Sequence, residues 1–434
     1  MKRWLAAFAL ILGTTAVTTG LASSASDLAA CARAKAEGEK SKTAEQQMRN
    51  FEQGIELCTR AINAGGLNPA NRAAGYNMRG DMNWRRRNLD QAIADFTEVI
   101  ALTPGRAQGY LSRASAFTTA GQPDRAFADY DSAVRVERNN PNVIRSRGLA
   151  HERQGQLDKA IADYSEMIRL QPNGIDGYVS RLRAYVKVPD LAKAMADGEA
   201  AVKIDPKSII ALNERGEIYR AQGNFENAVF DFNRALSLQP TWEGPLMNRA
   251  RAYHAMGRYE DAIKDYNDVI RRFSRLYPSS AAYMGRGDIH LAQGQFQEAL
   301  DDYERYINFS SLNAVELNPN GAALLGNRCR ALASLGRARE AIADCDRSLQ
   351  LRPDRTTALD SRGLANIRLG NYEAAIADYD AALKANPNLA DSLFGRGVAR
   401  IKSGNLNEGN ADIAEAMKPE PNIPERMARS GIAP

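Results

Sequence analysis

A segment of about 34 residues recurs along most of this chain. The copy over residues 209–242 aligns with the next copy, over residues 243–276, without a gap. Each copy holds two amphipathic stretches separated by a turn, which predicts a pair of helices that share one buried face. Such pairs bury their apolar faces by stacking on their neighbours, so a long chain needs no single large core. The period therefore predicts an all-α solenoid and not several globular domains.

Three positions of the repeat carry a recurrent residue type when Ala107 is counted as position one. Position twenty is alanine, because two antiparallel helices approach closely only where a Cβ alone intervenes. Position fifteen is mostly glycine, which ends a helix in the left-handed region at little cost. Proline follows the second helix of several copies, since it cannot continue a helix. The alanines are Ala92, Ala126, Ala160, Ala194, Ala228, Ala262, Ala299, Ala341 and Ala375. The glycines are Gly121, Gly155, Gly223, Gly257, Gly294, Gly336, Gly370 and Gly404.

These positions fall in one frame, and residues 26–417 resemble the tetratricopeptide repeat family. The resemblance implies a right-handed superhelical solenoid of about eleven helix-turn-helix repeats whose first helices line a concave groove. The ten regular copies begin near Ala73, Ala107, Pro141, Ile175, Ile209, Glu243, Ser280, Ala322, Thr356 and Ala390. An irregular copy over residues 26–72 precedes them, short insertions interrupt residues 73–417 at 277–279 and 314–321, and residues 418–434 form a C-terminal cap or tail.

The chain departs from the family at position seven, where the usual aliphatic residue is replaced by arginine. Position twenty-three of the same ten copies is aspartate, and the irregular first copy has neither group. Their joint loss indicates ion pairs, across the hairpin or to the neighbouring copy, with Arg215 and Asp231 as a representative pair. The alternative is a ladder of arginines for an anionic ligand. The arginines are Arg79, Arg113, Arg147, Arg181, Arg215, Arg249, Arg286, Arg328, Arg362 and Arg396. The aspartates are Asp95, Asp129, Asp163, Asp197, Asp231, Asp265, Asp302, Asp344, Asp378 and Asp412.

The amino terminus reads as a secretory signal peptide over residues 1–25. Lys2 and Arg3 precede an apolar run, and small residues before Ser26 offer a cleavage site. A membrane anchor is the alternative, but the apolar run is too short to span a bilayer comfortably. A second alternative is lipoprotein anchoring through Cys31. Removal of the peptide lowers the formal net charge of +5 by two, and so small a charge indicates no nucleic-acid partner.

The four cysteines occupy two equivalent pairs of positions. Cys329 and Cys345 stand at positions eight and twenty-four of their copy, which face each other across a hairpin. If Gly38 is the turn glycine of the irregular copy, Cys31 and Cys58 occupy the same two positions, with about eleven extra residues in the intervening turn. In an exported protein this placement predicts two disulfides, Cys31–Cys58 and Cys329–Cys345.

No motif in the sequence indicates catalysis, a cofactor or a metal. The three histidines, His151, His254 and His290, lie on different copies at spacings that do not form a chelating set. We find no phosphate-binding glycine loop, nucleophile elbow or dinucleotide fingerprint. The sequence therefore predicts a non-enzymatic protein that needs no cofactor.

The family resemblance places a groove at positions two, five, nine, twelve and thirteen of each first helix. Through the central copies these positions are mostly basic, with Glu152 and Glu217 among them. The basic residues are Arg145, Arg153, Arg183, Lys187, Arg220 and Arg251. At the C-terminal end the same positions are mostly apolar: Leu364, Ile367, Phe394, Val398 and Ile401. This apolar stripe either binds a partner or is capped by a short helix over residues 423–432.

These observations predict a scaffold of the periplasm or cell envelope that binds an extended segment or an acidic surface of another protein. The basic part of the groove raises the local concentration of acidic partners. The alternative is an accessory factor of envelope or polysaccharide assembly whose groove holds an anionic glycan. In either case the mature chain is expected to have no membrane span.

Overall fold

A computed structural model of the chain describes residues 24–273, 279–310 and 320–433, and all regular secondary structure in these ranges is helical. The predicted signal peptide lies almost entirely outside the described residues, and so do most of the predicted insertions at 277–279 and 314–321. Across the ranges that the structure describes, each helix is too short or too polar to span a bilayer.

The chain divides into two compact units, residues 1–206 and 207–434. The helices of the first unit are α1 (24–40), α2 (Ala44–Asn63), α3 (Pro69–Arg85), α4 (Leu89–Leu102), α5 (Ala107–Thr119), α6 (Pro123–Val136), α7 (Pro141–Arg153), α8 (Leu157–Leu170), α9 (Ile175–Lys187) and α10 (Leu191–Ile204). Those of the second are α11 (Ile209–Ala221), α12 (Phe225–Leu238), α13 (Glu243–Ala255), α14 (Tyr259–Phe273), α15 (Ser279–Ala292), α16 (Phe296–Ser310), α17 (Gly321–Ser334), α18 (Ala338–Leu351), α19 (Thr356–Leu369), α20 (Tyr372–Ala385), α21 (Ala390–Lys402), α22 (Leu406–Met417) and α23 (Ile423–Arg429).

Each unit is a stack of helix hairpins, which confirms the prediction of an all-α repeat solenoid. Successive helices pack in pairs, and each pair packs on the next. Within each unit the first helices of neighbouring hairpins also contact one another, as α3 contacts α5 and α17 contacts α19. They form a continuous surface, the first-helix face, on which the predicted groove residues of that unit lie.

Sequence signals at the helix ends agree with the structure in most copies. The position-fifteen glycines adopt positive φ values between 70° and 99°, as expected for a left-handed helix end. One start differs, because α3 begins at Pro69 and not near Ala73. The side chain of Asn68 accepts a hydrogen bond from the backbone N–H of Asn71, and Pro69 takes the first helical position. Asparagine at the N-cap and proline at the first helical position are both favoured at helix starts.

The irregular first copy corrects one prediction. Gly38 is not a turn glycine, because it lies inside α1, against the ring of Phe51. The extra residues lengthen α2, which starts at a Thr43 cap and runs for 20 residues. Cys31 and Cys58 nevertheless meet, and the structure contains both disulfides, Cys31–Cys58 and Cys329–Cys345, with all four cysteines fully buried.

Positions eight and twenty-four hold complementary volumes across each hairpin. Gly216 faces the ring of Phe232, and Gly148 faces that of Tyr164. The fourth regular copy reverses the order. It places the larger residue first, as Leu182, and the glycine second, as Gly198. The two disulfides occupy this same pair of positions. Helix separation is therefore fixed by one small and one large residue, or by a covalent bond.

The arginines of position seven form the most regular polar contact of the fold. In all ten regular copies the guanidinium lies within 2.5 to 2.8 Å of the aspartate of position twenty-three in the same hairpin. All ten aspartates are buried. In most copies Nε and Nη2 donate to the two carboxylate oxygens, as Arg113 does to Asp129. Such bidentate contacts fix both distance and orientation.

The same arginines also hold neighbouring hairpins together. In eight copies Nη1 donates to a side-chain oxygen at position twenty-five of the preceding copy. These contacts are Arg79–Thr59, Arg113–Thr97, Arg147–Asp131, Arg181–Ser165, Arg249–Asn233, Arg286–Asn267, Arg362–Asp346 and Arg396–Asp380. Each of these arginines therefore joins three helices, and its donors are engaged within the stack. This arrangement argues against a ladder for an anionic ligand.

We expect Gly216→Ala to destabilise the protein, although alanine usually stabilises a helix relative to glycine by about 0.5–1 kcal/mol. A Cβ at this site would lie 2.6 Å from the Phe232 ring, and overpacking costs about 1–3 kcal/mol. Gly244→Ala is the matched control, because its Cβ would meet nothing closer than 3.8 Å. Urea midpoints should fall for the first variant and stay level or rise for the second. Equal shifts in both would contradict the volume argument.

A double-mutant cycle on Arg215 and Asp231 should show strong coupling. Asp231 is fully buried, so removing its partner strands a charge and should cost about 3 kcal/mol. Removing both side chains should cost less than the sum of the single losses. The exposed pair Arg258–Asp261 is the control, with an expected coupling of about 0–1 kcal/mol. Additive losses at Arg215 and Asp231, measured by denaturant unfolding, would mean that the two side chains do not interact.

Candidate functional site

The apolar positions at the C-terminal end of the first-helix face are covered by the chain itself. Leu364, Phe394 and Val398 are fully buried and Ile367 is 7% exposed. They belong to one hydrophobic cluster with the buried residues Ile423, Met427 and Ile432. The structure therefore contradicts the prediction that these four residues line an open binding groove, and it favours the capping alternative. Ile401, at the end of α21, is only partly buried.

The covering element is the C-terminal segment, residues 419–433, which includes α23. This segment packs against α21 and is hydrogen-bonded to the earlier first helix α19, so it lies along the face as well as at the end of the stack. Arg368 of α19 donates from Nη2 to the carbonyl oxygens of Ser334 and Ser430, at 2.9 and 2.7 Å. The end of α23 is thereby fixed to the first helices of the two preceding repeats.

A network of charged groups positions the segment. Arg426 donates from Nε and Nη2 to Glu420, at 2.7 and 2.8 Å, and from Nη1 to Asp391 of α21 at 3.0 Å. The hydrogen bonds that Arg426 donates to these two carboxylates raise its pKa, and its guanidinium lowers the pKa of Glu420. Arg330 of α17 bridges Asp391, at 3.3 Å, to Asp360 of α19. Burial raises the pKa of the Asp360 carboxyl.

A cavity of about 350 Å³ opens beside this network. Its walls come from four successive first helices and their N-terminal ends, with Leu291, Asn327, Arg330, Asp360 and Asp391 among them. A smaller space of about 260 Å³ lies between Leu291 and the segment residues Arg426, Arg429 and Ser430. A volume of this size accommodates a few side chains of a bound peptide, with acidic and apolar groups on its walls.

A partly buried acid on the same unit was not predicted from the sequence. Asp288 of α15 accepts hydrogen bonds from the Tyr303 hydroxyl at 2.8 Å and from the Asn327 side-chain amide at 2.9 Å. Burial raises its pKa. Burial lowers the pKa of nearby Arg355, whose Nε is buried and has no hydrogen-bond partner among the described residues. The sequence does carry a signal for this site, because position nine of this first helix is an acid, whereas the groove is predicted to be basic.

Four of the predicted basic groove residues belong to the first unit. Arg153, Arg183 and Lys187 are exposed, and Arg145 is partly buried. Lys187 Nζ lies 2.6 Å from Glu152, which also accepts a hydrogen bond from the Tyr164 hydroxyl at 2.7 Å. Burial opposes ionisation of Glu152, but the hydrogen bonds from Lys187 and Tyr164 lower its pKa. Its negative charge therefore offsets part of this basic surface.

The remaining two basic groove residues, Arg220 and Arg251, belong to the second unit. Arg220 Nε is 2.9 Å from Glu217, three residues earlier on α11. Arg251 is exposed, and its Nη1 donates to the Asn248 side chain at 3.3 Å. The convergence of arginines from four successive copies would require residues of both units, so it stays a prediction.

The histidines make local contacts. His151 Nδ1 is 2.9 Å from the Gln156 side chain, and its ring stacks on Phe127. His290 repeats the glutamine contact, with Gln295 at 2.5 Å. Burial lowers the pKa of His254. Residues 24–273, 279–310 and 320–433 contain no cluster of three or more histidine, cysteine, aspartate or glutamate side chains arranged to hold a metal ion.

A second large cavity, of about 530 Å³, lies on the first-helix face of the first unit. Its walls combine polar uncharged residues such as Asn77, Gln108 and Ser146 with apolar residues such as Val99 and Leu111. Glu137 closes one end by accepting hydrogen bonds from the backbone N–H of Ala107, at 2.9 Å, and from the Asn140 side chain. The C-terminal cavity differs in having two carboxylates, Asp360 and Asp391, among its lining residues.

Similar proteins support the repeat assignment. Models of the tetratricopeptide repeat match residues 43–107, 77–144, 111–175 and 247–313, residues 331–394, and residues 209–241. Together these ranges cover more than half of the chain. No curated protein sequence matches the chain.

Several solved structures are similar in fold. A tetratricopeptide repeat protein from Parabacteroides merdae is 20% identical, with 60% of this chain and 98% of that chain covered and a TM-score of 0.47. The APC/C hetero-tetramer Cut9-Hcn1 is 15% identical, with 92% and 86% covered and a TM-score of 0.49. The pilF protein of Pseudomonas aeruginosa is 15% identical, with 49% and 96% covered and a TM-score of 0.39. These similarities are too distant to carry an argument about function.

Proteins of this repeat class are generally scaffolds that bind protein or peptide partners and have no catalytic centre of their own. The repeat matches and the stacked helix hairpins lead to the same conclusion: the chain belongs to the tetratricopeptide repeat family.

Proposed function

We propose that this protein is an exported, non-enzymatic scaffold that holds a segment of another protein on its first-helix face. The observation that carries the proposal is the occupied face of the second unit. There, the C-terminal segment of this chain is held by buried apolar side chains, by an ion pair with Asp391 of α21 and by a hydrogen bond from Arg368 of α19. A face that binds one peptide segment in this way has the chemistry to bind another.

The proposed location is the periplasm or cell envelope. Both pairs of buried cysteines are joined in disulfides, which persist in oxidising compartments and are rare in the cytosol. The N-terminal sequence, a basic pair followed by an apolar run, supports export. Anchoring through Cys31 would require that thiol to be free for lipid, whereas the disulfide with Cys58 uses it.

The excess of positive charge on the first-helix face supports a partner that is partly acidic. Arg153 and Arg251 are exposed on first helices, while Glu152 and Glu217 neutralise Lys187 and Arg220. The surplus is modest, so it tunes association and does not supply most of the affinity. An anionic glycan of the envelope would be attracted by the same surplus, and the capture experiment below separates the two.

Charge reversal on first helices should weaken partner capture. The variant Arg153→Glu with Arg251→Glu reverses two exposed groove positions, one in each unit. The purified full chain is used to capture material from the native envelope at low salt, with bound protein identified by mass spectrometry. We expect at least a tenfold loss of the captured protein, and in the unmodified chain a similar loss as salt rises, because exposed charges are screened within about 8 Å at physiological ionic strength.

The matched control is Arg135→Glu with Lys264→Glu, which makes the same charge change at exposed positions of the second helices α6 and α14. Equal loss in both variants would indicate non-specific attraction and count against the first-helix face. Protease treatment of the extract should abolish capture. Retention of polysaccharide after that treatment would support the glycan alternative.

Peptide mapping under non-reducing conditions checks the proposed location. Protein isolated from its native cells with thiols blocked at lysis should yield the linked peptides Cys31–Cys58 and Cys329–Cys345. The same protein produced in a reducing cytosol, with thiols blocked in the same way, is the control and should yield free thiols. Lipid on Cys31, or four blocked thiols in the native sample, would contradict the proposal of a soluble exported protein.

A further inference from the structure

The C-terminal segment is built differently from the repeats that it covers. Residues 418–422, which include Pro419 and Pro421, connect α22 to α23, and α23 has 7 residues. A helix of this length is unstable alone, because nucleation costs more than so few hydrogen bonds return. Its conformation therefore depends on the face beneath it.

The segment also lacks the contacts that bind repeats to each other. It has no arginine that joins an aspartate across a hairpin and no glycine facing an aromatic ring, the two devices that recur through residues 73–417. Its apolar anchors are Ile423, Met427 and Ile432, and its ionic anchor is Arg426. Loss of these contacts would leave every repeat-to-repeat arginine contact in place. The segment is thus separable from the stack in a way that no hairpin is.

The face beneath the segment has its own recognition pattern. Asp391 receives Arg426 and Arg330, Asp360 lies next along the face, and Leu364, Phe394 and Val398 supply the apolar surface around them. The C-terminal segment matches this pattern with a basic residue directly before an apolar one, flanked by further apolar residues. The cavity of about 350 Å³ beside Asp391 and Asp360 remains open while the segment is bound.

We propose that the C-terminal segment is a tethered competitor for a binding site on the first helices α17, α19 and α21. When it dissociates, the same face binds a segment of a partner protein that places an arginine or lysine between apolar anchors, with a further side chain in the open cavity. This inference rests on the proposed scaffold function. It adds the location of a site, the chemistry of the partner segment and a built-in restraint on binding.

The strength of this restraint depends on the fraction of molecules in which the face is open. A tethered segment has an effective concentration in the millimolar range, so it competes with any partner of ordinary affinity. If the face is open in about one molecule in ten, the apparent affinity for a partner falls by about tenfold. A change that releases the segment without altering the face should raise the apparent affinity for the partner by the same factor.

The test uses a labelled synthetic peptide of residues 419–433 as the probe and the full chain as the receptor. Arg426→Glu should release the tethered segment, because the new carboxylate faces Asp391 and Glu420. The face itself is unchanged in this variant. We expect the peptide to bind the variant at least tenfold more tightly than the unmodified chain, as measured by fluorescence anisotropy. A peptide carrying the same Arg426→Glu change should not bind.

Arg429→Glu is the matched control, because it makes the same charge change at an exposed position of the same helix. It should bind the peptide as weakly as the unmodified chain does. If Arg426→Glu melts as the unmodified chain does and gains no affinity for the peptide, the inference is overturned. Equal gains in both variants would overturn it as well.

Hydrogen exchange of the unmodified chain is a second, independent test that needs no variant. Amides of α23 should exchange at least a hundredfold faster than those of α21, because a tethered competitor opens without unfolding the repeat. Exchange of α23 and α21 at one common rate would show that the segment is a structural part of the last repeat. The scaffold function is tested separately by the charge reversals on the first helices. A negative peptide assay would overturn the tethered competitor alone, and unchanged partner capture by the reversal variants would count against the scaffold function alone.

Discussion

The fold depends on one contact that is repeated ten times, an arginine held by a buried aspartate across each hairpin. The carboxylate fixes the angle between the two helices, and in eight copies the third nitrogen of the guanidinium reaches an oxygen of the preceding copy. A buried ion pair contributes little net stability, because both charges lose their water. Its larger effect is on specificity, since a hairpin in the wrong register would strand a charge in the interior. The arginines therefore specify how hairpins stack, while apolar burial supplies most of the stability.

The second constraint is volume at the closest approach of the two helices. Glycine or alanine opposite an aromatic ring, leucine opposite glycine, and cysteine opposite cysteine are three solutions to the same spacing. The disulfide Cys329–Cys345 is thus not an addition to an otherwise complete hairpin. It replaces the ring that other copies place at position twenty-four, and it closes the gap covalently. This explains why the four cysteines of the chain fall at two equivalent pairs of positions.

Most of the fold could be predicted from the sequence, because periodic features recur often enough to be recognised. The positive-φ glycines and the ten arginine–aspartate contacts lie at the positions that the repeat marks. The oxygen-bearing residues of position twenty-five, such as Thr97 and Asp131, carried a periodic signal that the sequence analysis did not use. Gly38 was misread because a glycine in a helix and a glycine in a turn look alike in sequence. Only the packing of Phe51 against it distinguishes them. The fate of Leu364 and Phe394 could not be predicted, because an apolar stripe does not reveal what covers it.

The C-terminal segment covers part of the first-helix face, so its contacts affect what that face can bind. A capping helix that covered only the last hairpin would leave the first-helix face open along its length. Here Arg368 of α19 donates a hydrogen bond to the carbonyl oxygen of Ser430, so the C-terminal segment also covers part of the first-helix face before the last hairpin. The ion pair of Arg426 with Asp391 is partly exposed, with 41% of the Arg426 side chain open to solvent, whereas the aspartates of position twenty-three are buried. Salt or a competing acidic or basic group can therefore weaken the attachment of the segment while the ion pairs that hold the repeats together stay intact.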